Sequence, residues 1–160
     1  LGVLNSRLIG YYVNKTTEKG TQNLFPRISL TSVKNLPIKL HDNESLEQAV
    51  IKMNHLNIEF SEQANKFQRT LQRKFELDDL PKKLQDWYLL SYAEFIKELA
   101  KKKVKLSLAQ EAEWEDYFMS EQKKALELKA QIDATDKEID AMVYALYGLT
   151  EEEILIVENS

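Results

Sequence analysis

Two long heptad repeats constrain the fold of this chain more than any other feature. The first repeat contains two interleaved series of residues seven positions apart: Leu46, Met53, Phe60 and Phe67, and Val50, Asn57, Ala64 and Leu71. The second repeat has the same spacing: Phe118, Ala125, Ile132, Ile139 and Leu146, with Leu128, Thr135 and Met142 between them. This spacing is that of a coiled-coil seam. The sequence therefore predicts two long helices that pair with each other.

Capping signals set the bounds of these helices. Ser45 and Gln48 form a capping-box pattern, with Asp42 and Asn43 as competing caps, and the first long helix should run to about Phe75. The second should start near Leu108, behind a Ser107 box, and continue without a break through Thr135. Asn57 within the first seam has two interpretations, a buried residue that fixes the register or a residue at the seam margin. We favour the buried position.

Shorter elements complete the predicted fold. We expect a helix over 2–14 with Leu1, Leu4, Leu8, Tyr11 and Tyr12 on one face, a single helix over 81–100, and a final helix over 151–158. Gly148 should stop the second long helix, and Thr150 should cap the final one. A short strand at 27–29 and a helical turn at 30–35 predict a small mixed lobe. The class is mainly α, a long antiparallel hairpin with a packed third helix and this α/β lobe.

Charge is distributed unevenly along the chain. Residues 1–40 hold six cations against the single Glu18, a net charge of +5, so the remaining 120 residues carry −9 of the total of −4. A basic end on an acidic body indicates a polyanion partner, and a chance fluctuation on a solvated surface is the alternative. The absence of cysteine is compatible with the cytosol, and no apolar run is long enough to span a bilayer. The opening "LGVLNSRL" indicates a piece of a longer polypeptide.

Catalytic motifs are absent from the sequence. It contains no glycine-rich phosphate loop, no HExxH and no G-x-S-x-G. The acidic residues Glu111, Glu113, Glu115 and Asp116 are better interpreted as a solvated helix face than as a Mg²⁺ site. The aromatic residues Trp87, Trp114, Tyr117, Phe118, Tyr144 and Tyr147 should pack the helices together.

Three basic features are candidates for nucleic-acid contact. The first is segment 1–40, in which Arg27 follows a proline. The second is "KKKVK", 101–105, with Lys82 and Lys83, for which dipole compensation at helix ends is the preferred interpretation. The third is Lys66, Arg69, Arg73 and Lys74, which we expect to pair with acidic residues of the partner helix.

Three segments together resemble a known family. They are "VLNSRLIGYYV", "FPRISLTSVKNLPI" and "DKEIDAMVYALYGLTEEEILIVE". In this order, with a heptad helix between the last two, they resemble the C-terminal specificity (target-recognition) region of fused type II restriction-modification enzymes (Eco57I/TaqI-like, type IIG). Those enzymes join an adenine-N6 DNA methyltransferase to a specificity domain. Type I specificity subunits share similar pieces.

The resemblance implies a function and its limits. Residues 1–40 would be the end of a DNA target-recognition domain, and residues 41–160 a helical spacer that positions it on double-stranded DNA. The implied DNA-binding residues are Lys15, Lys19, Gln22, Asn23, Arg27 and Lys34. Catalysis, S-adenosylmethionine and any Mg²⁺ would belong to an upstream methyltransferase domain of the same bacterial, cytoplasmic chain. No catalytic, cofactor or metal residue is expected in these 160 residues.

Two alternatives stay open at this point. The chain is either part of such a fused enzyme or part of a type I specificity subunit, whose catalysis lies on other chains. A coiled-coil module that binds protein, by dimerising through its seam, is a further alternative, and the sequence leaves the oligomeric state open.

Overall fold

Helices form nearly all of the described structure. The computed structural model describes residues 2–16, 34–39 and 43–160. The helices are α1 (Gly2–Asn5), α2 (Arg7–Thr16), α3 (Glu44–Phe75), α4 (Lys82–Gln85), α5 (Tyr92–Lys101), α6 (Leu108–Tyr147) and α7 (Glu151–Glu158), with a 3₁₀ turn at Trp87–Leu89. These ranges contain no strand, and the mainly α class is confirmed. The expected strand at 27–29 lies outside the described residues.

The two long helices follow their predicted bounds. Asn43, one of the competing caps, accepts the Leu46 N–H through its side-chain oxygen at 3.1 Å, and α3 ends at Phe75. Ser107 caps α6, since its N–H donates to Gln110 and its Oγ accepts the Gln110 N–H. α6 continues through Thr135 without a break. The expected Ser45 and Gln48 box is wrong, because Ser45 lies inside α3 and the side chain of Gln48 donates to Glu44 instead. The predicted bounds of both helices are otherwise confirmed.

The predicted helix over 81–100 is wrong in one respect, because it is divided. Ser91 adopts an extended backbone conformation and caps α5, with its Oγ accepting the Glu94 N–H at 3.3 Å. The Glu94 carboxylate accepts the Ser91 N–H at 2.8 Å, which completes a capping box. Pro81 is the residue before α4. Ser91 therefore starts a new helix inside the range that was predicted as one.

Two further expectations about exposure are wrong. Asn57 is exposed, so it does not fix a buried register. The expected helix over 2–14 is broken at Ser6, and its buried residues are Gly2, Ser6 and Ile9, whereas Leu4 is 42% exposed. Gly2 is buried because α1 approaches α3 closely: a Cβ at Gly2 would lie 2.7 Å from Val50 Cγ2.

The chain forms two compact units. One comprises Leu1–Met53 and Ala134–Ser160, and its core includes Ala49, Ile139 and Val143. The other is Asn54–Asp133, with an aromatic core centred on Phe67. In this second unit the Phe67 ring stacks on Trp87 at a centroid distance of 3.7 Å.

Three helices end in the same way. Glu76, Lys103 and Gly148 have positive φ angles of 52°, 64° and 69°. In each case the following residue donates its N–H to the carbonyl five positions earlier, as in Leu77 to Gln72 and Leu149 to Tyr144. This is the Schellman arrangement, which suits glycine because a side chain strains the left-handed conformation. The predicted stop at Gly148 is confirmed, and the cap of α7 by Thr150 is confirmed with it.

Candidate nucleic-acid interface

The residues predicted to contact DNA are only partly described. Lys15 and Lys34 are both exposed. Lys19, Gln22, Asn23 and Arg27 lie outside the described residues. Lys15 is in the last turn of α2, and its Nζ lies 5.6 Å from the centroid of the Tyr11 ring. This position orients the ammonium group over an aromatic face while leaving it accessible.

Asp140 joins α6 to α2 through two contacts with Arg7. Asp140 Oδ1 accepts the Arg7 backbone N–H at 2.9 Å, and Oδ2 lies 3.3 Å from Arg7 Nε. The Asp140 side chain is 6% exposed, whereas that of Arg7 is 50% exposed. Because Arg7 is the first residue of α2, the carboxylate satisfies an N–H that the helix cannot pair internally. Asp140 therefore fixes the N-terminus of the helix that carries Lys15.

The surroundings of Asp140 disfavour its charged form. Burial raises the pKa of Asp140, and the negative charges of Asp136 and Glu158 act in the same direction. The N–H and guanidinium of Arg7 oppose this shift without cancelling it. Burial also raises the pKa of Tyr144, whose buried hydroxyl has no hydrogen-bond partner among the described residues. The contacts with Arg7 are therefore what keeps a carboxylate tolerable at this site.

Tyr147 holds the segment that leads into α3. Its hydroxyl donates to the Pro37 carbonyl at 2.7 Å and accepts the Lys39 N–H at 3.0 Å. Lys39 Nζ donates to the Leu146 carbonyl at 3.2 Å and lies 5.2 Å from the centroid of the Tyr147 ring. One phenol thus contacts the backbone on both sides of Ile38 and holds this short segment to the end of α6.

Three of the lysines around α5 form ion pairs with nearby carboxylates. Lys101 Nζ and Lys83 Nζ lie 2.7 and 3.5 Å from the same oxygen of Glu98. The hydrogen bond from Lys101 is the main cause that holds the pKa of Glu98 below its usual range. Lys102 pairs with Asp79 at 3.6 Å. These pairs favour charge compensation over DNA contact for this cluster.

The cations of α3 behave differently from expectation. Lys66, Arg69 and Arg73 are exposed, and none of them forms an ion pair with any residue in the described ranges. The prediction that they pair with acidic residues of the partner helix is therefore wrong there. The physical reason is that these three side chains lie on the side of α3 roughly opposite to the buried residues Phe67 and Leu71.

Comparison with known proteins identifies a family. A family model described as a domain of unknown function, DUF8810, matches residues 39–143. This chain belongs to the DUF8810 family. Searches among curated proteins and among solved structures gave no match. The DUF8810 match includes Asp140 and the cations of α3, whereas Arg7 and Tyr147 lie outside it.

Sequence reasoning missed the two residues that organise the N-terminal segment of this DUF8810 protein. Asp140 lies between Ile139 and Met142 in an apolar run, and a lone carboxylate in such a run is a signal of a buried contact. Tyr147 was expected to pack, and its hydrogen bonds to residues 110 and 108 positions away have no local signature.

Neither a metal cluster nor a membrane span is found among the described residues. Within those ranges, no three histidine or acidic side chains come close enough to hold an ion. No described helix combines the length and apolar character that crossing a bilayer requires.

Proposed function

We propose that this chain is a non-catalytic part of the DNA sequence-specificity region of a restriction-modification adenine-N6 DNA methyltransferase. In this role it helps to position target recognition on double-stranded DNA. The supporting observation is that the segments that resemble restriction-modification specificity regions contact one another. "LNSR" meets "EIDAM" through Arg7 and Asp140, and "LPIK" meets "YALYG" through Tyr147.

These contacts support a positioning role. Two ties hold α2 and residues 37–39 to the end of α6. The tie to α2 restricts the helix that carries Lys15, which lowers the entropy that this helix loses when it binds a phosphate backbone. Residues 1–40 then act as the end of the recognition domain, with Lys15, Lys19, Gln22, Asn23, Arg27 and Lys34 as its DNA-facing residues.

The proposal includes a finer architecture. Residues 41–160 act as the helical spacer, with α3 and α6 as an antiparallel hairpin and a small mixed lobe ahead of them. Contacts inside the unit Asn54–Asp133 support the hairpin: Gln63 reaches Glu121, and Phe75 reaches Trp114 at a centroid distance of 5.0 Å. A residue later in α3 thus contacts a residue earlier in α6, as expected of two antiparallel helices.

Catalysis is assigned to another part of a longer polypeptide. We place S-adenosylmethionine binding, and any Mg²⁺, in an upstream methyltransferase domain of a bacterial cytoplasmic enzyme. The present residues contribute no group to that chemistry in this proposal.

Binding to labelled duplex DNA tests the proposal. The double variant Arg27→Glu/Lys34→Glu should bind at least about tenfold more weakly at low salt, because phosphate contacts dominate such affinity. The matched control Lys97→Glu/Lys123→Glu makes the same charge change on exposed helix positions and should bind nearly as the parent does. Equal losses in both variants, or no binding by the parent chain, would refute the proposal and favour a protein-interaction module.

A further inference from the structure

One stretch of α3 is purely cationic. Residues 63–75 include Lys66, Arg69, Arg73 and Lys74 and contain no acidic residue. All four cations are exposed, and none forms an ion pair with a described residue. Residues 99–110 also lack acidic residues, but there Lys101 and Lys102 form ion pairs with Glu98 and Asp79, whereas the cations of α3 do not.

The helix places three of these cations along one line. At about 100° per residue, Lys66, Arg69 and Arg73 fall within an arc of about 60°, on the side of α3 roughly opposite to Phe67 and Leu71. They span about 10 Å at about 1.5 Å per residue. One DNA strand carries a phosphate about every 3.4 Å along its axis, so this line matches about three phosphates.

The charged ends of these side chains are available to a ligand. Arg73 Nε donates to the Arg69 carbonyl at 3.4 Å, which leaves its two terminal nitrogens free of described partners. Gln72 Nε2 donates to the Asp78 carbonyl at 3.3 Å, which secures the turn behind α3. An open hollow of about 420 Å³ is lined, within the described ranges, by Lys66, Arg69, Gln72 and Arg73.

We propose that Lys66, Arg69 and Arg73 form a binding site for the phosphate backbone of a nucleic acid. Guanidinium groups bind phosphate oxygens through two parallel hydrogen bonds, and the lysine adds a point charge. An acidic protein is the competing partner, and the nearly even spacing of the three cations along α3 favours the regular phosphates of a nucleic-acid strand. This site extends the proposed function. It rests on that function only for the identity of the nucleic acid as duplex DNA.

The salt dependence of DNA binding tests this site in the full chain. The variant Lys66→Gln/Arg69→Gln/Arg73→Gln should bind a labelled duplex of random sequence at least about tenfold more weakly at about 50 mM salt. The slope of log K against log salt should fall by about 2 to 3, because each lost phosphate contact removes about 0.9. The control Lys97→Gln/Lys123→Gln/Lys137→Gln removes the same charge from exposed positions and should keep the parent slope.

Each outcome decides between the site and its competitors. Unchanged slope and affinity in the α3 variant overturn the site. Polyglutamate serves as a second probe, which stands for an acidic protein. If the α3 variant loses binding to polyglutamate but keeps its binding to DNA, the site is also overturned and an acidic protein partner is indicated. If only Arg27→Glu/Lys34→Glu weakens DNA binding, the proposed function stands and this site is overturned. If only the α3 variant weakens DNA binding, this site stands and the proposed DNA-binding role of residues 1–40 is overturned. Thermal melting followed by circular dichroism checks that all variants are folded.

Discussion

Arg7 and Asp140 are 133 residues apart in sequence, yet one carboxylate binds both the backbone and the side chain of Arg7. The backbone contact takes the place of a cap on α2, and Ser6 adds a long contact of 3.5 Å from the Ile9 N–H. The start of α2 therefore depends on a residue in α6, and the next two predictions follow from this dependence.

Replacing Asp140 by alanine should lower the free energy of unfolding by about 1–2 kcal/mol, the usual effect of removing a helix cap. Amide exchange in α2 should accelerate more than exchange in α6. Urea unfolding and hydrogen exchange measure the two effects. Asp116→Ala, at an exposed position on the same helix, is the control. An equal loss in the control would show that Asp140 has no special role.

The raised pKa of Asp140 gives its contribution to stability a definite pH dependence. The native state binds this proton more tightly than the unfolded state, whose carboxyl has the ordinary pKa of 3.8. This contribution is complete below pH 3.8 and is lost as the pH rises through the higher native pKa. Relative to Asp140→Asn, the parent should therefore lose stability across that window. Urea unfolding at a series of pH values measures the difference, and a constant difference contradicts the assignment.

Tyr147→Phe should release residues 37–39 while leaving the ring in place. The change removes two hydrogen bonds in an exposed setting, so the unfolding free energy should fall by about 1 kcal/mol. Exchange of the Lys39 amide should accelerate. Tyr12→Phe, at an exposed position on α2, should change neither quantity. NMR-detected exchange distinguishes the two variants, and an unaltered Lys39 amide would argue against the tie.

Phe67→Ala should be the most damaging single truncation in the unit Asn54–Asp133. Phe67 is fully buried, and its ring contacts Trp87 and Phe118 among others. Loss of the ring leaves a cavity, for which the expected cost is about 3–5 kcal/mol. Ile58→Ala, at a side chain 59% exposed, should cost less than about 0.5 kcal/mol. Denaturant unfolding followed by tryptophan fluorescence compares them, and similar midpoints would be incompatible with this core.

Lys103→Gly should stabilise the chain by about 1 kcal/mol, because glycine adopts its positive φ of 64° without strain. Gly148→Ala, at a φ of 69°, should destabilise by a similar amount. Thermal unfolding measures both changes. If Lys103→Gly proves destabilising, the backbone at this helix end is not strained in the way described.

The sequence was most informative where signals are local. The heptads and the boxes at Ser107 and Thr150 defined long elements, since spacing and capping act over three to seven residues. The box of Ser91 with Glu94 was equally local and was overlooked, because the aromatic run around it looked like one continuous helix face. Nothing in the sequence indicated that helices end at Glu76 and Lys103, because neither residue is the glycine that usually occupies such a position.

The candidate site was less predictable because its contacts are distant. Basic composition indicated where a polyanion would bind, but it gave no information about Asp140 or Tyr147, which hold that segment from more than 100 residues away. The α3 cations were assigned to ion pairs because a paired helix was expected to offer carboxylates. In the structure these cations lie on the exposed side of α3, away from the buried Phe67 and Leu71, so they meet no such carboxylate among the described residues.

The tie between Arg7 and Asp140 also orders the events of biosynthesis. At a synthesis rate of about 5–20 residues per second, Asp140 is made on the order of ten seconds after Arg7. During that interval α2 has no cap from α6, so a chain truncated after Asp133 should show rapid amide exchange in α2. The contacts between Asp140 and Arg7 can therefore form only after the far end of α6 has been translated.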